Sequence, residues 1–417
     1  MGDIMNEKYL IINAGSSSLK FSLYEIPEVK EIVNGCVEKI GNEDSFYTLK
    51  YDDKKEEKVK VIMNHTQAVE TMLYELLINN FISDVNEIKG VGHRVLHGGE
   101  KYFDSVVIDD EVINDIVDLT KLGPLHHPGN LSGILAMQKA IPHIPQIAVF
   151  DTSFHQTINE ENYIYPIPYS WYNENGVRKY GFHGTSHKYI TETMQQYLDK
   201  KDVNLIICHI GSGASMSAIK NGKSCDTTMG LTPLDGLMMG TRSGSIDPSI
   251  IEYICKERNL TVSEVTNILN KESGLKGISG VNDFRDVTAL AKQGNHNAKL
   301  AIKLFEKSIV KYIAQYYFEL NGDVDAIIFT AGVGENMSYV REDIVNLISK
   351  PMGIKINKEI NDNIAKFKQY QSGVITTDDS KIKVMVIPTN EELMILKDTV
   401  RLTKKSKDLN KEKKLTK

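Results

Sequence analysis

The chain has 417 residues, of which 41% are hydrophobic and 25% are charged, and its formal net charge at pH 7 is −6. This composition excludes wholesale disorder, and the length predicts two domains. The acidic balance excludes a protein that binds nucleic acid mainly by electrostatic attraction.

Apolar runs and alternating patterns predict secondary structure along the whole chain. In the first part, strands are predicted at residues 9–13, 19–26, 34–40, 46–51, 59–63, 90–96 and 146–150, and helices at 69–77, 109–121 and 129–140. In the second part, strands are predicted at 203–209, 214–220 and 325–330, and helices at 297–320, from about 338, and at about 391–402. The strand, glycine/serine turn and strand at 9–24 recur at 203–220. We therefore predict an α/β fold with mixed sheets, in which two domains share one plan.

The predicted domains are an N-terminal domain at 1–150, completed by the last helix at about 390–403, and a C-terminal domain at 151–389. Residues 404–417 contain seven lysines against Asp408 and Glu412, a local charge of +5 that leaves −11 for the preceding chain. We predict that these residues form a disordered basic tail.

Cysteine usage and hydropathy predict a cytoplasmic protein. The four cysteines are scattered and form no C-x-x-C pair, which is typical of reduced thiols. No apolar run is long enough for a signal peptide core or a membrane helix, so we expect no membrane partner.

Three glycine/serine turns, at 15–18, 211–213 and 332–334, each follow a predicted buried strand. Such turns let backbone N–H groups approach a phosphate. None matches the P-loop pattern, and none fits the dinucleotide fingerprint at a strand–helix turn, so P-loop enzymes and Rossmann dehydrogenases are disfavoured.

Several cationic side chains have small or glycine neighbours, which allow a substrate anion to approach them. Arg94, His183 and Arg242 are of this kind, and Asp151 directly follows a predicted strand. A zinc site is disfavoured, since the histidines have no cysteine partner at metal-ligand spacing.

On seven motifs the chain resembles the acetokinase family over residues 9–400. The motifs are NAGSSSLK at 13–20, GHRVLHGG at 92–99, FDTSFHQ at 150–156, YGFHGTSH at 180–187, MGTRSG at 239–244, FTAGVGEN at 329–336 and PTNEE at 388–392. The resemblance implies a duplicated actin-like fold of the ribonuclease-H-like type, shared with sugar kinases and heat-shock ATPases, whose C-terminal domain binds the nucleotide. It also implies reversible transfer of the γ-phosphoryl group of ATP to acetate, which gives acetyl phosphate and ADP, in a homodimer that does not bind nucleic acid.

The resemblance implies the following site residues. Arg94 binds the carboxylate, Asp151 is the catalytic acidic residue, and His183 and Arg242 stabilise the transferred phosphoryl group. Because acetate is already ionised at pH 7, we interpret Asp151 as orienting Mg²⁺, its waters or Arg94 rather than as a base. Mg²⁺ (or Mn²⁺) is expected at Asn13 and Glu391, since hard cations prefer oxygen ligands. The substrate pocket is expected to include Leu96, Leu125, His126, Phe182 and Pro233. The ATP contacts are expected from Ser16, Ser18, Lys20, His209, Ile210, Gly211, Ser212, Gly213, Asp283, Phe284, Arg285, Gly332, Val333, Gly334, Glu335 and Asn336.

This chain departs from the family pattern at four places. Ser212 replaces an asparagine, which removes an amide donor, and His127 replaces an asparagine beside His126. Leu96 stands where valine is usual, which predicts a bias towards acetate over propionate. The adenosine loop at 281–285 is one residue shorter, so ATP and GTP both stay open.

Two alternatives to acetate phosphorylation stay open on the sequence. One is a propionate or butyrate kinase of the same family, which the Leu96 pocket disfavours. The other is a non-catalytic actin-like nucleotide-binding module, which has no need for Arg94, Asp151, His183 and Arg242 together.

Overall fold

The computed structural model describes residues 6–124, 126–364 and 373–415, with side chains as far as Ser406. The strands in chain order are β1 (Glu7–Ala14), β2 (Ser18–Ile26), β3 (Lys30–Glu38), β4 (Phe46–Tyr51), β5 (Lys54–Val59), β6 (Ile88–Val95), β7 (Val106–Val107), β8 (Gln146–Phe150), β9 (Leu205–Ile210), β10 (Ala214–Lys220), β11 (Lys223–Thr227), β12 (Ala326–Thr330), β13 (Gly373–Val374) and β14 (Lys383–Val386). The helices in chain order are α1 (His65–Ile78), α2 (Asp110–Asp118), α3 (His127–Ala140), α4 (Glu160–Tyr163), α5 (Ser170–Asn175), α6 (Gly184–Leu198), α7 (Ser249–Arg258), α8 (Val262–Lys271), α9 (Gly274–Ser279), α10 (Phe284–Lys292), α11 (His296–Glu319), α12 (Ala331–Asn336), α13 (Ser338–Met352), α14 (Lys358–Asn363) and α15 (Glu391–Leu415).

The described residues divide into two compact units. The first unit contains the chain as far as Ser153 together with the residues from Asn390 onward, and the second contains the described residues of Phe154–Thr389. Helix α15 therefore belongs to the first unit although it lies at the end of the chain.

The sheet of the first unit has the strand order β5-β4-β3-β2-β1-β6-β8-β7. Strands β1 to β5 form antiparallel neighbours, whereas β1, β6 and β8 are parallel. All five residues of β8 are buried, as expected for a parallel strand covered on both faces.

Alternate residues of β1 enter two different cores, because successive strand side chains point to opposite faces. Leu10 and Ile12 pack in one core, with side chains of α1 and α3. Tyr9 and Ile11 pack in the other, which includes Ile395 of α15. The central strands are thus enclosed between α1 and α3 on one face and α15 on the other.

The sheet of the second unit has the strand order β11-β10-β9-β12-β14-β13. Strands β9, β10 and β11 are antiparallel, and β9, β12 and β14 are parallel. This order repeats β3-β2-β1-β6-β8 of the first unit, with three antiparallel strands followed by two parallel ones. The predicted α/β fold with two mixed sheets on one plan is confirmed.

Two predicted elements differ from the structure. The predicted strand at 59–63 is wrong, since the polar strand β5 occupies Lys54–Val59 instead. Asp52 and Asp53 both adopt positive φ values, 45° and 61°, as a two-residue type I′ hairpin turn requires, and so fold β5 back onto β4. The burial pattern alone misses β5, because its side chains are mostly exposed.

The last helix is also longer than predicted. Helix α15 continues to Leu415, well beyond the predicted end at about residue 402 and into the segment predicted to be disordered. Residues 404–415 contain neither glycine nor proline and are rich in lysine, which favours a helix. Among the described residues, no helix is long and apolar enough to cross a membrane.

Candidate active site

Two glycines of β6 bring α15 close to the central strands of the first unit. A Cβ atom added at Gly92 would lie 2.7 Å from Ile395 and still closer to Thr399, and one added at Gly90 would collide with Thr403. The contacts step four residues back along α15 for every two residues forward along β6. The Gly90 Cβ would also lie 3.3 Å from Thr399, so the series Gly90–Thr399 and Gly92–Ile395 continues with Arg94 and Glu391, the first residue of α15.

Arg94 forms ion pairs with two carboxylates at this edge. Its Nε lies 3.0 Å from Asp151 Oδ1, and its Nη2 lies 2.7 Å from Asp151 Oδ2 and 3.5 Å from Glu391 Oε2. Asp151 is buried at the end of β8, and its backbone N–H donates to Val95. Within the part of the chain that the structure describes, Arg94 Nη1 has no partner, so one edge of the guanidinium is available to an anion.

The charges at this edge favour a further cation. Burial lowers the pKa of Arg94, but the carboxylates of Asp151 and Glu391 outweigh this effect and raise it overall. Burial raises the pKa of Glu391, Arg94 opposes this, and the negative charge of Asp151 adds to the increase. Two carboxylates around one guanidinium leave a surplus negative charge at this edge. Asn13 follows the last paired residues of β1 and β6, Ile12 and His93, at the same edge, so these oxygen donors fit Mg²⁺. The described residues contain no group of three or more His, Cys, Asp or Glu side chains able to hold a metal.

The first glycine/serine turn is fixed by residues that the sequence reasoning missed. Gly15 N donates to Ser18 O at 2.8 Å, and His65 Nε2 lies 2.7 Å from Gly15 O. Asn130 on α3 donates to Ala14 O and accepts from Leu96 N, which ties the ends of β1 and β6 together. Three residues predicted to contact ATP lie around this turn. Ser16 and Lys20 are exposed, and Ser18 is half-buried.

The predicted substrate pocket is only partly covered by the described residues. Leu96 is half-buried, and a Cβ added at Gly123 would lie 3.1 Å from it and 2.9 Å from the ring of buried His127. His126 is exposed and immediately precedes α3. The predicted substrate residue Leu125 lies outside the described residues.

In the second unit, Gly213 brings His183 and Arg242 together. A Cβ added there would lie 3.5 Å from Arg242 Nη1 and 3.7 Å from His183 Nε2. His183 has the left-handed backbone conformation (φ 56°), and its ring stacks on His209 with centroids 4.3 Å apart. The two predicted substrate-pocket residues of this unit are near these side chains in the sequence. Phe182 is buried, and Pro233 O accepts from Arg242 Nη1 at 3.3 Å.

Arg242 is a half-buried cation without an acidic partner among the described residues. Its Nη1 donates to Pro233 O at 3.3 Å and to the sulfur of Met239 at 3.6 Å. Burial lowers the pKa of Arg242, which nevertheless stays cationic at neutral pH. A guanidinium held in this way can accept an incoming anion without first breaking an ion pair.

The three predicted nucleotide segments line one cavity of about 430 Å³ in the second unit. Its wall includes Gly211, Ser212, Asp283, Arg285 and Gly332. The guanidinium of Arg285 pairs with Asp283 at 2.6 Å and lowers the pKa of that carboxyl to about 2. The wall also contains Phe284, Val333 and Asn336, whereas His209 and Ile210 are buried in β9.

Glu335 and Arg341 hold the third segment from within. Glu335 Oε1 accepts from the backbone N–H groups of Ala331 at 2.7 Å and Thr389 at 3.1 Å. The buried Arg341 donates to the carbonyl oxygens of Gly334 and Glu335, both at 2.8 Å. The Glu335 carboxylate thus binds backbone N–H groups of the protein itself. Arg341 is a positioning residue that the sequence does not reveal.

Residues 8–397 match the acetokinase family. The chain belongs to the acetokinase family. It is 50% identical to an acetate kinase from Exiguobacterium sibiricum over 399 residues, an alignment that covers 95% of this chain and 98% of the relative. An acetate kinase from Bacillus subtilis is 48% identical over 400 residues, and this alignment covers 95% of this chain and 100% of the relative.

Two solved acetokinase-family structures share the fold closely. The acetate kinase of Porphyromonas gingivalis has a TM-score of 0.90 and 40% identity, covering 95% of this chain and 99% of that one. A propionate kinase from Francisella tularensis has a TM-score of 0.88 and 41% identity, covering 95% and 100%. The predicted family is therefore confirmed, and the similar structures include kinases named for either acid.

Proposed function

We propose that the protein is an acetate kinase, which transfers the γ-phosphoryl group of ATP to acetate and runs in both directions. The observation that carries this proposal is Arg242, a half-buried guanidinium without an acidic partner in the described chain, beside His183 at the Gly213 turn. Relatives about 50% identical over almost the whole chain are named acetate kinase.

In this proposal the first unit holds the carboxylate. Asp151 and Glu391 fix the Nε and Nη2 side of Arg94, so that the guanidinium meets acetate through the Nη1 edge. Asp151 acts as an orienting residue, because an ionised carboxylate needs no base before it attacks phosphorus. Leu96 bounds the space around the methyl group.

Asn13 and Glu391 would hold Mg²⁺, with Asp151 beside them. When bound, the ion would neutralise charge on the phosphate oxygens of ATP. In the second unit, the glycine turns at 211–213 and 332–334 bind phosphates through backbone N–H groups. His183 and Arg242 then donate hydrogen bonds to the equatorial phosphoryl oxygens, over which the charge of the transition state is spread.

The test is formation of acetyl phosphate from acetate and MgATP, trapped as the hydroxamate. Arg242→Ala should lower kcat by about 10²–10³-fold, as removal of a single anion-stabilising donor does in other enzymes. Arg258→Ala, at an exposed arginine of the same unit, is the matched control and should be silent. Absence of acetyl phosphate from the wild-type protein would leave a non-catalytic nucleotide-binding module as the better account.

A second candidate is propionate kinase, because the similar Francisella tularensis structure bears that name. Comparison of kcat/KM for acetate, propionate and butyrate, with ATP and with GTP, decides between these substrates. Removal of divalent cations with EDTA should abolish activity, and Mg²⁺ or Mn²⁺ should restore it. We also propose a cytoplasmic homodimer, for which light scattering should give twice the mass of one chain.

A further inference from the structure

A line of hydrogen bonds leads from a buried serine to His183. Ser217 Oγ lies 2.7 Å from His187 Nδ1, and His187 Nε2 lies 2.8 Å from Ser215 Oγ. Ser215 Oγ in turn lies 2.9 Å from His183 Nδ1. We call this series the serine–histidine chain. Both of its serines and His187 are buried.

Two sequence spacings produce this chain. Ser215 and Ser217 are two residues apart on β10, so their side chains lie on the same face of the sheet. His183 and His187 are four residues apart at the start of α6, and His187 N donates to His183 O at 3.0 Å, so both rings lie on the same side of the helix. The strand face and the helix face therefore present alternating hydroxyl groups and imidazole rings.

The positions of the hydroxyl protons fix which group donates and which accepts at each hydrogen bond of the serine–histidine chain. Burial, with nearby His155 and His209, lowers the pKa of His187 well below its ordinary value, so its ring is neutral and carries one N–H. Within the described residues, the Ser217 hydroxyl has only His187 Nδ1 as a partner, and a buried hydroxyl proton without an acceptor is costly. Ser217 therefore donates to His187 Nδ1.

The remaining assignments follow in order. His187 carries its proton on Nε2 and donates it to Ser215 Oγ. The single hydroxyl proton of Ser215 is then given to His183 Nδ1. A neutral His183 consequently has its own proton on Nε2, the nitrogen that lies beside Gly213 and on the same side as Arg242.

We infer that the serine–histidine chain holds His183 as the Nε2–H tautomer, so that this nitrogen is always a hydrogen-bond donor. This inference rests on the proposed role of His183 towards the phosphoryl group. The opposite tautomer would aim a lone pair at an anion and would replace an attraction by a repulsion. Ser215, His187 and Ser217 are therefore positioning residues, which act on the reaction only through His183.

The kinetic test compares alanine substitutions at two buried serines. Ser215→Ala should lower kcat about tenfold, while the KM values for acetate and ATP change less than twofold, because the lost preference concerns the donor and not substrate binding. Ser224→Ala is the matched control. Ser224 also hydrogen-bonds a buried histidine, His155, at 2.8 Å, but it is not part of the serine–histidine chain.

Each outcome bears on a different claim. If Ser215→Ala and Ser224→Ala have the same kcat, the serine–histidine chain has no role in catalysis and the inference is overturned. If His183→Ala keeps full kcat, the proposed role of His183 fails first. If His183→Ala is impaired but Ser215→Ala is not, only the inference about the chain fails.

A direct measurement of the tautomer completes the test and does not depend on kinetics. In protein labelled with ¹⁵N at the imidazoles, the His183 signals, assigned with His183→Ala, should show the Nε2–H form. Ser215→Ala, and to a smaller extent Ser217→Ala, should introduce the Nδ1–H form. A wild-type His183 in the Nδ1–H form would refute the inference.

Discussion

The position of Glu391 depends on a close approach of helix to strand, and Gly92→Ala tests this dependence. The added Cβ would lie 2.7 Å from Ile395, so that contact must lengthen by about 0.7 Å to reach the 3.4 Å of ordinary packing. The contact with Thr399 requires more. Because these atoms are on branched side chains close to the helix backbone, α15 must move away from β6, and Glu391 moves with it.

The expected cost of this overpacking is about 1–3 kcal/mol in the free energy of unfolding. The Arg94–Glu391 distance is already 3.5 Å, so a further shift approaching 1 Å breaks the pair and can lower kcat by up to about 10²-fold. Urea unfolding and the hydroxamate assay measure the two effects. Gly90 contacts α15 at a point further from Glu391 than Gly92 does. Gly90→Ala should therefore lower the free energy of unfolding by a similar amount but cause a smaller loss of kcat. A Gly92→Ala protein with wild-type stability and kcat would refute the reasoning.

Three further predictions concern acidity, specificity and the tail. Burial, with Asp343 adding, raises the pKa of Glu306 from 4.5 to about 7, so stability from the protonated form is present below pH 4.5 and is lost as the pH rises through 7. Glu306→Gln should remove this loss, worth up to about 3 kcal/mol at 1.4 kcal/mol per pKa unit, and equal pH slopes in urea unfolding of both proteins would contradict it. Leu96→Val should raise propionate kcat/KM relative to acetate about fivefold, or ~1 kcal/mol, and an unchanged ratio would show that Leu96 does not bound the pocket. Truncation after Thr403 should leave kcat unchanged, since the last α15 side chain in the apolar core, among those that the structure describes, is Leu402. A large loss would place the lysine-rich segment in the mechanism.

The sequence predicted the candidate residues better than the contacts that hold them. Arg94, Asp151 and Glu391 were assigned by motif, and the structure brings all three together in the first unit. The reason for their proximity is the pair of glycines on β6, which let α15 pack closely. A glycine in a strand has no side-chain pattern that names its partner, and α15 is some 300 residues away in the chain.

For a related reason, the sequence does not reveal the residues that support the site through hydrogen bonds. Asn130, Ser215 and Arg341 act through hydrogen bonds to backbone atoms or ring nitrogens, and such bonds leave no spacing rule in a single sequence. Ser215 and Ser217 do show an i, i+2 signal on a predicted strand. That signal becomes informative only when His183 and His187 are known to face them.

The two units share one strand order, but the residues at the ends of their equivalent parallel strands differ. Gly15 N donates to Ser18 O at 2.8 Å in the first turn, and Gly211 N donates to Gly213 O at 3.1 Å in its counterpart. The ends of the equivalent parallel strands β6 and β12 diverge. Near the end of β6, Arg94 projects its guanidinium between two carboxylates, whereas β12 runs directly into α12, with its backbone held by Glu335.

Under the proposed function, this divergence separates two kinds of anion recognition. A planar guanidinium suits the single carboxylate of acetate, whereas successive backbone N–H groups suit a chain of phosphates. Each specialisation needs only a few residues at one strand end, and the rest of each sheet needs only apolar side chains of suitable size. The duplication is therefore preserved in strand order and turn position, while the residue identity between the halves is weak.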